Sequence, residues 1–161
     1  MKTRLTLALC GAAILFTLSA AAQGTPNFTG TWTLDAARSD FGMMPPPESI
    51  VMVIDHKEPS LKVSTTQKGP QGEASNSSSY TTDGMENVNK ARGPAGEQDV
   101  KSTTKWNAKA LETKRALEAQ GMTIDIDESM ELASDGKVLT MTRVIKTPQG
   151  DFTQKAVFTK Q

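Results

Sequence analysis

Cysteine, histidine and aromatic side chains are all scarce in this chain. Cys10 is the lone cysteine, His56 the lone histidine, and two Trp, one Tyr and five Phe occur in 161 residues. A single cysteine makes no intrachain disulfide, so the core must hold without covalent staples. His56 has no Cys or Asp partner at ligand spacing and lies beside the Lys57-Glu58-Pro59-Ser60 turn, where it reads as a surface residue. No G-x-S-x-G or comparable nucleophile motif accompanies it. With no acid–base constellation, metal set or phosphate cradle elsewhere, the chain reads as a non-enzyme without a cofactor.

Charge of one sign is missing as well. Eighteen basic residues face eighteen acidic ones, and Lys and Arg are dispersed among the acids. Nucleic acid and an anionic membrane surface are therefore poor partners.

Long apolar runs are absent with one exception, at the N-terminus, which reads MKTRLTLALCGAAILFTLSAAAQG. Lys2 and Arg4 precede an apolar run from Leu5 to Leu18, followed by the small residues Ser19-Ala20-Ala21-Ala22. That is the form of a secretory signal peptide cut after Ala22. Its run of about 14 residues falls short of the roughly 20 that a spanning helix needs. Leu9, before Cys10, is not the small residue of a lipoprotein signal. The expectation is a signal peptide over 1–22 and one domain over 23–161, exported to a periplasm or beyond, with no membrane insertion after cleavage. Without Lys2 and Arg4, 16 basic residues remain against 18 acidic.

What is present is alternation. Short runs with a period of two, separated by turn residues, are the signature of strands and hairpins. The runs are Phe28–Leu34, Ile50–Asp55, Leu61–Gln67, Ala74–Thr82, Met85–Asn89, Val100–Trp106, Leu111–Glu118, Met122–Leu132, Val138–Ile145 and Phe152–Phe158. Leu111–Glu118 also suits a helix by composition, but strand patterns flank it closely. Asp35–Glu48, with Pro45-Pro46-Pro47, and Lys90–Gln98 read as loops. Short connections favour sequential antiparallel pairing, and a long meander hides its edges best by closing. The expected fold is all-β: a single antiparallel meander β-barrel of about 8–10 strands.

One stretch occurs nearly twice. Lys68, Pro70, Gln71 and Gly72 recur 78 residues later as Lys146, Pro148, Gln149 and Gly150. In each copy Pro presets φ and Gly follows where a left-handed or bulged conformation is commonly needed. The pair reads as two hairpin turns rather than a doubled recognition loop.

Parity assigns the inward faces. Val100, Ser102, Thr104 and Trp106 share one face. Leu111, Thr113, Arg115 and Leu117 share the next, and Met122, Ile124, Ile126, Glu128 and Met130 the one after. Leu139, Met141, Arg143 and Ile145 follow, then Phe152, Gln154, Ala156 and Phe158; Leu61, Val63 and Tyr80 also point in. Arg115, Glu128, Arg143 and Gln154 thus fall at core positions, where an unpaired charge is costly. Three explanations compete. In the first, Glu128 neutralises the two arginines; in the second, the charges line a cavity that takes an acidic ligand; in the third, a bulge shifts a strand's parity.

Phe28-Thr29-Gly30-Thr31-Trp32 resembles the first strand of lipocalin-like, calycin-type barrels, whose signature is Gly-x-Trp. Ala37–Gly42, Tyr80–Gly84, Lys105-Trp106-Asn107 and Ser134–Thr140 further resemble segments of a group of secreted bacterial lipocalin-like proteins. The resemblance spans most of 28–161. It implies a cavity for small, mostly apolar molecules and a late-strand arginine, matched by Arg143, packed across Trp32 to close the barrel end. It departs in strand count, about ten rather than eight. Ten-stranded fatty-acid-binding barrels carry a helical lid after the first strand, for which Asp35–Glu48 is too short and proline-rich.

Weaker signals read as surface. Asp125, Asp127 and Glu131 suggest a cation site, but the two aspartates alternate with isoleucines on an outer face. Asn27-Phe28-Thr29 and Asn76-Ser77-Ser78 are glycosylation sequons. The expected function is capture of a small apolar or amphipathic molecule, by Met122, Ile124, Met141, Phe152, Tyr80 and Trp106, with Arg115 as polar anchor beside Glu128 and Arg143. The alternative is a filled barrel serving as a structural or protein-interaction module of the cell envelope.

Overall fold

Ten strands make up most of the described residues, and each follows one of the alternating runs. The computed structural model describes residues 24–161 except Met43, Gln71, Pro94, Ala95 and Gln120. The expected signal peptide and Cys10 lie outside the described residues. The strands are β1 (Gly30–Leu34), β2 (Ser49–Lys57), β3 (Ser60–Gly69), β4 (Gly72–Thr81), β5 (Asp83–Gly93), β6 (Gly96–Asn107), β7 (Ala110–Ala119), β8 (Met122–Leu132), β9 (Val138–Thr147) and β10 (Gly150–Lys160).

They form one antiparallel sheet in the order β4-β3-β2-β1-β10-β9-β8-β7-β6-β5. Sequential hairpins build the meander, and β1 against β10 curls it into a nearly closed barrel. Its two edges, β4 and β5, share no backbone ladder. Asn89 of β5 stands in for one: its Oδ1 accepts the Ser79 N–H at 2.7 Å and its Nδ2 donates to the Ser79 carbonyl at 2.9 Å.

β7 is a strand, despite helix-compatible composition, because β6 and β8 pair with it and bury Leu111 and Thr113. The expected loop over Lys90–Gln98 is a correction. β5 and β6 continue through it, pairing Lys90 with Asp99 and Ala91 with Gln98, and a 2.6 Å Lys90–Asp99 ion pair spans the strands. Partner strands override the polar, Gly- and Pro-containing composition there.

Both copies of the repeated stretch are tight hairpins, closed by Gly69 opposite Gly72 and by Thr147 opposite Gly150. Gly72 and Gly150 take φ of +100° and +131°. These hairpins and those of β5–β6 and β7–β8 lie at one end of the barrel, here the open end. The β1–β2 connection runs to the same end. It holds a short 3-10 helix, Ala36–Arg38, and its Asp40 bridges to Lys155 of β10.

The opposite, closed end is packed solid. Phe28, Trp32, Leu61, Leu111 and Leu139 are fully buried there, with Ile54 and Phe158 nearly so. Trp32 Nε1 donates to the Phe28 carbonyl at 2.9 Å. The Phe28 ring stacks on Trp106 and on His56, at 5.8 and 5.7 Å between centroids, and those two rings touch each other at 6.0 Å.

His56 is therefore no surface residue; it is 4% exposed. Its Nδ1 accepts the Phe28 N–H at 3.2 Å, which places the proton on Nε2, 3.0 Å from Glu58. Glu58 also accepts from Trp106 Nε1 at 2.8 Å and from the Thr82 hydroxyl. Burial opposes the ionisation of Glu58, but the donors Thr82, Trp106 and His56 outweigh it and hold the carboxyl below its ordinary range. The Asn27 sequon belongs to the same floor, since Asn27 and Thr29 both donate to the His56 carbonyl.

The closing cation over Trp32 is Lys160, not Arg143. β1 pairs Trp32 with Lys160, whose Nζ sits 5.3 Å from the ring centroid. Arg143 lies farther up the barrel, paired to Gln154. Gly30 makes room for the arrangement: at φ +149° a Cβ there would stand 2.5 Å from Lys160 Cε.

Candidate functional site

Above that floor the inward side chains cease to meet. The barrel encloses a cavity of about 290 Å³ toward its open end. Met52, Val63, Leu117, Met141 and Phe158 supply its apolar wall. Arg115, Glu128, Arg143, Gln154, Ser102 and Tyr80 supply the polar part. Phe41, from the β1–β2 connection, reaches its wall, and nearby Gln154 Nε2 lies 3.0 Å from Met44 Sδ.

β7, β8 and β9 each contribute one member of a charge cluster. Arg143 donates to Glu128 Oε2 through Nε at 2.9 Å and through Nη2 at 2.6 Å. Arg115 Nη2 reaches the same oxygen at 3.2 Å. The ladders β7–β8, β8–β9 and β9–β10 run without a register shift, so no bulge displaces these residues. The other two explanations hold together: the charges pair, and they do so on a cavity wall. Burial opposes a charged Glu128, but the fields of Arg143 and Arg115 outweigh it and lower the carboxyl to about 2. Glu128 in return raises Arg143 above its ordinary value. Two guanidinium groups sharing one carboxylate leave the wall with a net positive charge.

The hydroxyl groups beside this cluster divide in two. Thr104 and Thr113, buried on adjacent strands, satisfy each other at 2.9 Å. Ser102 is buried on the cavity wall, yet its Oγ has no hydrogen-bond partner among the described residues.

Of the residues expected to form the site, Arg115, Glu128, Arg143, Met141 and Tyr80 share the cavity wall. Met122, Ile124 and Phe152 do not line it, although their parity is inward. They are partly buried on the strand segments near the open-end hairpins, so inward parity alone does not place a side chain on the void. Trp106 is a clearer correction, since it stacks on Phe28 in the closed floor. Sequence reading missed Phe41, because the connection carrying it has no periodicity. It placed Ser102 inward but had no means of showing that the hydroxyl lacks a partner.

The expected outer-face aspartates behave as surface charges. Asp127 lies between Lys146 at 2.7 Å and Lys114 at 3.6 Å. Among the described residues no cluster of His, Cys, Asp and Glu is arranged to hold a metal.

No protein-family model and no curated relative matches the sequence. Solved structures do share the fold. One is the ileal bile acid-binding protein of zebrafish, in complex with cholic acid. It is 14% identical, with a TM-score of 0.56 over 83% of this chain and 98% of that one. Another is a variant of the fluorescent protein UnaG, 10% identical, with a TM-score of 0.52 over 83% of this chain and 95% of its own. The chain thus shares the barrel fold of these proteins, and among the described residues no helical lid follows its first strand. Among the described residues its β1–β2 connection is a proline-rich strap with a single turn of 3-10 helix.

Proposed function

We propose that this protein is an exported, non-enzymatic carrier of one small apolar or amphipathic molecule, held inside the barrel. The observation that carries the reading is the cavity of about 290 Å³, apolar over much of its wall and cationic at one side. That volume is at the lower end of small-molecule sites. It suits a compact ring system or a short chain better than a large lipid. A solved barrel of the same fold holds cholic acid, a molecule of amphipathic character. Export rests on the N-terminal sequence alone: a charged start, a short apolar run and small residues before Gln23.

Retention would come from burying apolar ligand surface against Met52, Met141, Leu117 and Phe158, worth about 25 cal/mol per Å² removed from water. Methionines in such a wall adapt to differing shapes. The test is twofold: native mass spectrometry of the protein purified from its own host, and titration of recombinant protein with uncharged phenylnaphthylamine. A one-to-one copurified small molecule, or saturable probe fluorescence at one site, is the expected result. Absence of both overturns the reading and leaves a barrel that serves as a structural or protein-binding module.

A further inference from the structure

The wall of the cavity is split where β6 and β7 part. Their ladder starts at Asn107 opposite Ala110 and stops at Ser102 opposite Arg115. Yet β6 stays paired with β5 as far as Gly96, and β7 stays paired with β8 as far as Ala119. The two hairpins therefore diverge above Ser102 and Arg115, leaving a lateral fork toward the open end. A shallow groove of about 370 Å³ lies outside that fork, and Ser102 and Arg115 belong both to its walls and to those of the internal cavity. These two residues are the sill between inside and outside.

We propose that this sill is an anion-binding subsite, at which a carboxylate or sulfonate of an amphipathic ligand is held while its apolar body occupies the cavity. The inference rests on the carrier function proposed above and assigns the ligand's charge and its orientation. Among the described residues Ser102 Oγ is buried without a partner, so a ligand acceptor there would satisfy a group whose desolvation they leave uncompensated. Arg115 lies opposite it in the ladder and gives Glu128 only one bond, at 3.2 Å, while Arg143 holds the same oxygen with two shorter ones. A guanidinium has five N–H donors, so Arg115 keeps donors to spare for a second carboxylate.

The lysines outside the fork are already compensated. Lys101 pairs with Glu86 at 2.9 Å, and Lys114 and Lys146 share Asp127. The excess positive charge therefore lies on the inner, half-desolvated side, where it attracts an anion more strongly than the solvated lysines do. Above the sill, no described residue of β6 pairs with one of β7, and their facing backbone supplies a polar rim for the head group.

Two probes of one ring system separate the possibilities: anilinonaphthalene sulfonate, an anion, and phenylnaphthylamine, its uncharged analogue. Both are titrated into the wild type, Ser102→Ala, Ser102→Thr and Arg115→Met, with amide spectra confirming the fold of each variant. The expected result is that Ser102→Ala weakens the anionic probe about tenfold, as for a hydrogen bond to a charged group. Arg115→Met weakens it at least as much, Ser102→Thr restores it, and the uncharged probe changes less than about twofold in all three. The anionic probe shifts the amide resonances of Lys101 and Ala116, which flank the fork; the uncharged probe does not. Equal effects on the two probes, no effect of Ser102→Ala, or anion-induced shifts away from the fork would each overturn the subsite. So would binding of the uncharged probe alone, which leaves the carrier reading standing. Failure of both probes on the wild type overturns the subsite, and with no copurified small molecule it overturns the carrier reading as well.

Discussion

The two ends of the barrel are built from the same strands by the same alternation, yet one is solid and the other hollow. On β7, Leu111 is fully buried in the closed floor, whereas Arg115 and Leu117 line the cavity. On β8, Met130 packs into the core while Glu128, two residues away, carries a buried charge. The difference is in what faces each row. The floor has three mutually packed rings, donated in part by the segment before β1, to plug the barrel. The upper half has only the β1–β2 strap, with Phe41 as its apolar contribution to the cavity wall. Stability is thus concentrated at one end, and the other is released to hold space and charge.

The largest expected effect contrasts two leucines of one strand. Leu111→Ala removes a side chain from a close-packed floor and leaves a new void, so it should cost about 3–4 kcal/mol. Leu117→Ala merely enlarges a cavity that is already there and should cost about 1 kcal/mol. Urea unfolding of the two variants measures both. Equal losses would mean that the upper half is as tightly packed as the floor.

Next comes the charge that the hollow end tolerates. In the folded protein the fields of Arg143 and Arg115 lower the Glu128 carboxyl to about 2, below its ordinary 4.5. A depressed carboxyl adds stability that is complete above its ordinary pKa and is lost as pH falls through the folded value. The contribution is therefore full near neutrality, declines below pH ~4.5, and is gone beneath pH ~2. Glu128→Gln should cost on the order of 3 kcal/mol near neutral pH, leaving two guanidinium groups with no shared acceptor charge. At about pH 3 the gap between variant and wild type should fall to less than half of that. A gap independent of pH would show that the cluster acts through shape and hydrogen bonding rather than charge.

The two ends also differ in how much of them the sequence discloses. Parity along Val100–Trp106 and Met122–Leu132 identifies inward rows, because a period of two leaves a strand only two faces. Charges at inward positions, Arg115, Glu128 and Arg143, mark the hollow end, since a solid core seldom admits them. The plug escapes notice for the opposite reason. Phe28 opens the alternating run Phe28–Leu34 but lies two residues before the first paired residue, and His56 sits beside a turn, so no row shows that the two meet. Their burial arises from three distant segments meeting, at Phe28, His56 and Trp106, and periodicity is blind to that. The Gly-x-Trp motif pointed correctly to a barrel end but not to its cation. Lys160 earns that place only through the β1–β10 register, which no local pattern encodes.

The smallest effect concerns the seam that keeps the hollow end from opening further. β4 and β5 meet through the Asn89 side chain, which exchanges two hydrogen bonds with Ser79 as a ladder residue would. Asn89 is also part of the cavity wall, so this seam is a boundary of the site. Each of its bonds is worth about 1 kcal/mol at most, being solvent-exposed. Asn89→Ala should lower overall stability by no more than about 1 kcal/mol but should cut hydrogen-exchange protection of the Ser79 amide by roughly fivefold. Asn89→Asp supplies the control. A carboxylate keeps the acceptor for the Ser79 N–H and loses only the donor to the Ser79 carbonyl, so protection of that amide should persist. Amides of the closed floor, such as Leu111, should keep wild-type protection in both variants, because the floor does not depend on the seam. If Asn89→Ala deprotected the floor as well, the two ends would form a single cooperative unit. The division between a solid half that stabilises and a hollow half that binds would then be one of shape alone.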